Sequence, residues 1–248
     1  MVARIPTAAI TTLTMTDTTT EMSPSLDAGA LLRLLQLASP ALPVGAYAYS
    51  QGLEWAVEAG WVTDEATLGR WIDEQLTESF GRVDLPILSR CYLAARAGDD
   101  AAMQRWAREL GARRETRELV ADDRDRGRAL ARLLRDLGID AAAPWVHRDD
   151  APFAAVAALA AVAWDVPLDP LLNAYAFGWI ENQVLAGVKL IPLGQVAGQR
   201  LLLRLTPRIP AVVDTALALR DDEIGGTLPI LAIASSLHET QYTRLFRS

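Results

Sequence analysis

The chain has 248 residues, of which 51% are hydrophobic and 22% are charged. That composition supports one large buried core, in one domain or in two closely merged halves. The net charge of −7 argues against nucleic acid as the main partner, because phosphate backbones select basic surfaces.

Cysteine content and the length of the apolar runs bear on where the protein works. The only cysteine is Cys91, so an internal disulfide is impossible, which fits a reducing cytosol. No charged-then-apolar signal pattern opens the sequence. The longest apolar run, residues 151–164, has 14 residues, whereas a membrane span needs about 20. We therefore expect a cytoplasmic protein with no membrane partner, and a buried alanine-rich helix in that run.

The chain begins with a threonine-rich segment, residues 1–25, which shows no periodicity and is expected to be disordered. A first helix should begin at Asp27, a residue suited to an N-cap. Two prolines require it to end near Ser39. The apolar spacing i, i+3, i+4, i+7 predicts its packed face: Leu31, Leu34, Leu35 and Ala38.

Residues 39–54 have the least ordinary composition of the chain, with two prolines, two glycines and two tyrosines. The glycines permit backbone conformations and close approaches that a side chain would block. Tyr47 and Tyr49 each suit a core as well as a contact surface, since tyrosine has an apolar body and a polar tip. We expect an ordered helix–loop–helix brace that presents Tyr47 to a partner.

Amphipathic helices follow in close succession. The helix that begins near residue 63 has Thr63 as its expected N-cap and an apolar face that extends to Phe80. The expected helices are 50–59, 63–80, 83–97 and a fourth capped by Asp99 or Asp100.

Residues 113–136 are the most charged region, with eight arginines and six acids. Asp122 and Arg126 form a favourable i, i+4 pair. The favoured interpretation is a solvated helix laced with ion pairs, and a partner surface is the alternative. Gly127 lies on the apolar stripe of this helix, which indicates close packing against another helix. The stripe is expected to be buried: Leu130, Leu133, Leu134 and Leu137.

Residues 168–190 are apolar nearly all round, which is typical of a central helix. Their polar side chains should be hydrogen-bonded or face an interface; these are Asn173, Glu181, Asn182 and Gln183. Further helices are predicted after residue 193, and Thr227 is the expected cap of the last one. The predicted fold is all-α, a single-domain bundle of roughly ten helices with short connections.

Most signatures of catalysis are absent from the sequence. It contains neither G-x-x-x-x-G-K-[ST] nor G-x-G-x-x-G. His238 and Glu239 begin like H-E-x-x-H, but Tyr242 replaces the second histidine. Two histidines and one cysteine supply a metal site poorly within one chain, although a symmetric interface would count each ligand twice. We therefore expect no catalytic and no metal-ligating residues.

The C-terminal tail, residues 238–248, ends in an amphipathic tip. Tyr242, Leu245 and Phe246 have the spacing i, i+3, i+4 of one helical face. Aromatic residues together with arginine are favoured at interface hot spots. Docking on this chain and docking on another protein remain equal alternatives at this point.

Four stretches of the chain resemble one family. They are Leu34–Glu54, Arg114–Glu118, Val188–Gln195 and Gln241–Ser248. Together, in this order, they are similar to the urease accessory protein UreF from about residue 31 to the end. Small departures occur at Tyr47, Gln51 and Thr243, where phenylalanine, histidine and serine are common.

The resemblance implies an all-α protein that is not an enzyme. UreF proteins join a nickel-carrying GTPase, UreG, and a scaffold protein, UreD or UreH, to load nickel into apo-urease. They are thought to dimerise and to regulate the GTPase. On this basis residues 26–237 would form the UreF-like domain and residues 238–248 a docking tail. No cofactor is expected, with nickel passed through the complex as cargo.

The resemblance also suggests partner-binding residues. The tail from Tyr242 to Ser248 would dock on the scaffold protein, the loop around Tyr47 would be part of the working face, and Lys189 with Gln195 would lie toward the GTPase. The full set of predicted contact residues is Tyr47, Ser50, Glu54, Lys189, Gln195, Tyr242, Arg244, Leu245, Phe246 and Arg247.

Two alternatives come from other classes of protein. One is an all-α enzyme whose polar site would comprise Tyr47, Glu54, Asn173 and Glu181. The other is a helical ligand-binding regulator, which would need a basic DNA-contacting module that the sequence does not contain.

Overall fold

A computed structural model describes residues 26–248, so the expectation for residues 1–25 lies outside the described part. Within it, all regular structure is helical, which confirms the all-α prediction. The α-helices are α1 (Ala28–Ala38), α2 (Leu53–Glu58), α3 (Glu65–Gln75), α4 (Asp84–Ala97), α5 (Asp100–Ala112), α6 (Arg117–Asp136), α7 (Phe153–Ala163), α8 (Leu168–Leu190), α9 (Gln195–Leu205), α10 (Ile209–Ala218) and α11 (Pro229–His238).

Side-chain caps begin several of these helices. Asp27 caps α1 and Asp99 caps α5, as predicted. The prediction that Thr63 caps α3 is wrong, because Asp64 takes that place. Its carboxylate accepts the backbone N–H of Thr67 at 2.8 Å, and the Thr67 hydroxyl accepts the Asp64 N–H at 3.0 Å. This reciprocal pair satisfies two N–H groups that a threonine cap alone would leave open.

The last helix also starts differently from the prediction. Leu228, rather than Thr227, is the N-cap residue of α11, and no side chain caps it. Pro229 occupies the first helical position, where its missing N–H costs nothing and its fixed φ suits the helix.

The alanine-rich α7 lies at the centre of the core, packed against α4 and α6. All but three of its residues are buried, as predicted. Gly127 of α6 meets the turn before α7 so closely that a Cβ there would lie 1.9 Å from the carbonyl oxygen of Ala151. The predicted close packing at Gly127 is confirmed, although its partner is the segment before α7 rather than a helix.

The long α8 is the second organising element, in contact with α1, α2, α3, α4, α9 and α10. Its polar residues are largely hydrogen-bonded, as expected. Asn173 donates to the Asp169 carbonyl of its own helix at 2.9 Å, and Asn182 donates to the Tyr49 carbonyl at 3.2 Å. Glu181 is half-buried, and this burial raises the pKa of its carboxyl.

The predicted packed face of α1 is wrong in part. Its buried residues are Ala30, Leu34 and Leu37, whereas Leu31 and Leu35 are exposed. The leucines of α1 project from most sides of the helix, so the periodicity of its sequence could not identify the side that packs against the core.

The solvated-helix interpretation of residues 113–136 is also wrong for its inner face. Arg114, Asp122, Asp123 and Arg126 are largely buried. The hydrophobic stripe of α6 is buried at Leu130 and Leu134 but ends before Leu137, which is exposed. Charge content alone therefore misled the prediction, because these charges pair with one another inside the protein.

The tail after His238 is not helical, so its i, i+3, i+4 spacing does not describe a helix face. Cys91 is buried, and burial raises the pKa of its thiol to about 12. No helix in residues 26–248 combines the length and the apolar content needed to cross a bilayer.

Candidate functional site

The loop between α1 and α2 has an unusual backbone. Gln51 has φ 53° and Gly52 has φ 81°, both in the left-handed region. A Cβ on Gly52 would lie 2.9 Å from the backbone nitrogen of Ser235 in α11. Glycine is therefore required here twice over, for its conformation and for the approach of α11. A glutamine at positive φ is held there by its surroundings.

Those surroundings are hydrogen bonds from three sides. The Gln51 amide nitrogen donates to Asp122 at 2.8 Å, and its amide oxygen accepts from the Trp179 indole at 2.9 Å. The same oxygen accepts from Gln183 at 3.3 Å. Gln51 thus joins the loop to α6 and α8, and this role was not predicted from the sequence.

Behind Gln51 lies a buried charge network, which we define as Asp84, Arg114, Asp122, Asp123 and Arg126. Arg114 lies 2.5 Å from Asp84 and 2.6 Å from Asp123, and Arg126 pairs with Asp122. Burial alone would lower the pKa of the Arg114 guanidinium, but the Asp123 and Asp84 carboxylates outweigh it and raise that pKa. Buried ion pairs of this kind tie α4 and α6 to one arrangement.

A cavity of about 140 Å³ opens beside this network. Its walls are mainly apolar, with Leu34 of α1, Phe80 and Trp179 among them, and the acidic residues of the network also line it. Phe80 and Trp179 stack with ring centroids 4.7 Å apart. Among the described residues, no group of three or more histidine, cysteine, aspartate or glutamate side chains is arranged so that it could hold a metal ion.

The C-terminal tail returns to the same loop and pairs with its backbone. The Arg247 N–H donates to the Ala48 carbonyl at 2.8 Å, and the Ser50 N–H donates to the Ser248 carbonyl at 2.6 Å. The Ser50 hydroxyl donates to that same carbonyl. Phe246 and Ser248 are buried as a result.

Glu54 and His238 complete this contact. The Glu54 carboxylate accepts the backbone N–H groups of Leu245 at 2.5 Å and of Phe246 at 2.9 Å. It also accepts from His238 Nε2 at 3.0 Å, while His238 Nδ1 lies 2.7 Å from Glu118. Three donors thus occupy both oxygens of this buried carboxylate, which leaves neither oxygen free for general-base catalysis.

Lys189 lies between two aromatic rings at the edge of this contact. Its Nζ is 5.9 Å from the centre of the Tyr47 ring and 5.7 Å from that of Phe246. Both distances are in the range of cation–π attraction. We call the contact formed by residues 47–54, Lys189 and residues 244–248 the tail junction.

The structure brings most of the predicted contact residues to the tail junction. Gln195 begins α9 and is exposed, and within the described residues no hydrogen bond links it to the junction. Tyr47 is 68% exposed, Leu245 is 67% exposed and Tyr242 is fully exposed. The tail backbone is therefore fixed by hydrogen bonds, while the side chains of Tyr242 and Leu245 in the tail and of Tyr47 in the adjoining loop face solvent.

The residues of the alternative enzyme site are not assembled as a catalytic group. Glu54 is committed to the tail and His238. Asn173 is bonded within α8. Tyr47 and Glu181 both line the cavity, without a hydrogen bond between them.

Sequence reasoning missed His238, Glu118 and Gln51. Their partners are far away in the chain, since His238 lies 184 residues from Glu54 and 120 from Glu118. A lone histidine at the end of an apolar helix gives no local signal of such partners. The one usable hint was the rarity of histidine, which occurs twice in the chain.

Comparison with known proteins gives a consistent result. The family model of UreF matches residues 62–206. The urease accessory protein UreF of Pseudomonas putida strain W619 is 53% identical over 219 residues, which covers 88% of this chain and 98% of that protein. The UreF of Alkalilimnicola ehrlichii is 50% identical over 92% of this chain and 99% of its own length. The UreF of Klebsiella pneumoniae is 52% identical over 88% and 97%, respectively.

Proposed function

The chain belongs to the UreF family of urease accessory proteins, and from this premise we propose that it is a non-enzymatic adaptor of urease maturation. It joins a UreG-type GTPase to a UreD- or UreH-type scaffold protein, so that nickel is delivered as cargo to apo-urease. It also regulates the GTPase. The assembly works in the cytoplasm.

The observation that carries this proposal is the state of the tail junction. Hydrogen bonds to Ala48, Ser50 and Glu54 fix the tail backbone at the junction, whereas the side chains of Leu245 and of Tyr242, just outside the junction, project into solvent. Exposed aromatic and apolar side chains on an ordered backbone bind a partner at low entropic cost. This supports the tail as the scaffold-binding element, with Arg244 and Arg247 at its rim.

The GTPase would dock on the side of Tyr47 and Lys189. These two residues are exposed and lie next to each other, and Gln195 begins α9 after a short connection from the end of α8. The sequence contains no G-x-x-x-x-G-K-[ST] phosphate-binding motif. A partner that hydrolyses GTP would supply it, and this chain would act on that partner through contact.

We also propose a homodimer that involves α8. Phe177 of this largely apolar helix is exposed, and the neighbouring α1 exposes Leu31, Leu32 and Leu35. Apolar faces of this kind on a folded protein favour association. Light scattering at micromolar concentration should give the mass of a dimer, and a monomer alone would contradict this part of the proposal.

Co-expression tests the adaptor role directly. The urease subunits, the GTPase and the scaffold protein are produced together with and without this chain. The proposal predicts a complex that contains all three accessory proteins, and nickel-loaded, active urease only when this chain is present. Equal nickel content and activity without it would show that the adaptor role is wrong.

A further inference from the structure

His238 has an environment that the adaptor role alone does not explain. Its side chain is fully buried, and a carboxylate stands at each ring nitrogen. Glu54 of α2 faces Nε2 at 3.0 Å and Glu118 of α6 faces Nδ1 at 2.7 Å. A neutral imidazole has one donor and one acceptor, so it can satisfy one of these carboxylates only.

The charges around His238 balance when the cluster holds one extra proton. Glu54 and Glu118 bring two negative charges, Arg244 of the tail lies 2.8 Å from Glu118, and a protonated His238 supplies the second positive charge. Glu239 of α11 is engaged elsewhere, with Arg117 of α6 at 2.8 Å. Loss of the proton would set a nitrogen lone pair against a buried carboxylate, which is costly at a buried site.

The tail depends on the same cluster. Glu54 binds the N–H groups of Leu245 and Phe246, and Glu118 binds the Arg244 side chain. His238 holds both carboxylates in the positions from which they reach the tail. The hydrogen bonds of this one buried histidine are thereby connected to those that hold the tail.

We propose that His238 is a positioning residue: in its protonated form it links Glu54 and Glu118, fixes the tail for its partner, and releases the tail when the proton is lost. The inference rests on the proposed function only in naming the scaffold protein as that partner. Tail order is favoured at acidic pH and is lost as the pH rises, because the doubly donating form is the protonated one.

Hydrogen exchange of residues 241–248 in the full chain tests the inference without any partner. Protection is expressed relative to the intrinsic exchange rate, and is followed between about pH 6 and about pH 8.5. We expect protection of the Leu245 and Phe246 amides to fall at least about tenfold over this range. The Gly225 amide, which donates to the Arg82 carbonyl elsewhere in the fold, should stay unchanged. Equal protection of the tail across the range would overturn the proposal.

Three variants sharpen the test. In H238Q both N–H donors are on one nitrogen and an acceptor oxygen faces the other carboxylate, so tail protection should be low at every pH. E118Q offers an amide that can accept from a protonated ring or donate to a neutral one. The tail of E118Q should therefore stay protected at alkaline pH. E239Q, beside His238 but engaged with Arg117, should follow the wild type. If H238Q fails to fold, E118Q and the wild-type profile decide the question, and pH dependence retained in E118Q would contradict it.

A second measurement separates this inference from the adaptor role. The affinity for the scaffold protein should fall about tenfold from the lower to the higher pH, since a disordered tail must be ordered on binding. E118Q should bind equally at both. A tail that responds to pH without any scaffold binding would leave the positioning role standing and contradict the proposed function. Scaffold binding by a tail that does not respond to pH would leave the proposed function standing and contradict the positioning role of His238.

Discussion

Gln51 and Gly52 are where single residues matter most in this protein. Both adopt positive φ, and Gln51 is hydrogen-bonded to Asp122 of the buried charge network. Gly52 has no room for a side chain, because Ser235 of α11 lies against it. Gln51 makes three hydrogen bonds through one amide group. Local geometry at these two positions thus sets the distance between α2, α6 and α11.

G52A tests this close approach. Alanine at this position must adopt a left-handed backbone conformation, and its methyl group must push α11 away. We therefore expect a loss of about 3 kcal/mol in the free energy of unfolding. G60A is the matched control, because Gly60 has φ 74° and open space around its Cβ position. It should lose only about 1 kcal/mol. Equal losses in urea unfolding would show that contact with α11 is unimportant.

At the scale of elements, α6 is held by charge at one end and by close packing in its middle. Arg114 precedes the helix and joins Asp84 of α4 to Asp123 of α6. Gly127 lets α6 touch the segment before α7. The helix is thus fixed both by a specific ion pair and by the absence of a side chain.

R114L should destabilise the protein by about 3–5 kcal/mol, because two buried carboxylates lose their counter-charge. Burial raises the pKa of Asp84, and the charge of Arg114 offsets part of that rise. Without Arg114 the pKa of Asp84 in the folded state therefore rises further, so the folded state binds the Asp84 proton more tightly than the unfolded state does. The deficit relative to wild type should shrink as the pH falls from about 7 toward the ordinary aspartate pKa of about 4.

R113L is the control for R114L. Arg113 neighbours it in sequence but pairs with the half-exposed Glu109, so its loss should cost less than about 1 kcal/mol. Denaturant midpoints measured at several pH values compare the two variants. A pH-independent deficit in R114L would argue against unpaired carboxylates as its cause.

G127A examines the second constraint on α6. Alanine favours a helix over glycine by about 1 kcal/mol, yet a Cβ at Gly127 would overlap the Ala151 carbonyl. We expect a net loss of about 2–4 kcal/mol. G111A, in α5 with nothing near its Cβ position, should instead be neutral or stabilising by up to about 1 kcal/mol. A stabilised G127A in thermal unfolding would refute the close contact.

For the molecule as a whole, local patterns predicted the fold well. Helix periodicity, prolines, glycines and caps act over a few residues, and they identified the all-α bundle, the buried positions of α7 and the central place of α8. Nothing local could reveal contacts such as Ser50 with Ser248 or Gln51 with Asp122, which are 198 and 71 residues apart. The predicted contact residues came from resemblance rather than from physics, and the structure explains why most of them are neighbours.

The same structure suggests a cleaner test of the tail than its removal. Truncation after Thr240 would strip Glu54 and Ser50 of their partners and expose the site that Phe246 fills. Loss of binding in such a variant would not separate folding from docking. Tyr242 and Leu245 are better targets, because their side chains face solvent.

The most direct measurement is the affinity of the scaffold protein for the double variant Y242S/L245S. Its thermal stability should match the wild type, and its affinity should fall at least about thirtyfold, as expected for the loss of interface anchors. L203S, which removes an equally exposed leucine on α9, should bind as the wild type does. Unchanged affinity of the double variant would contradict the claim that the tail is the docking element.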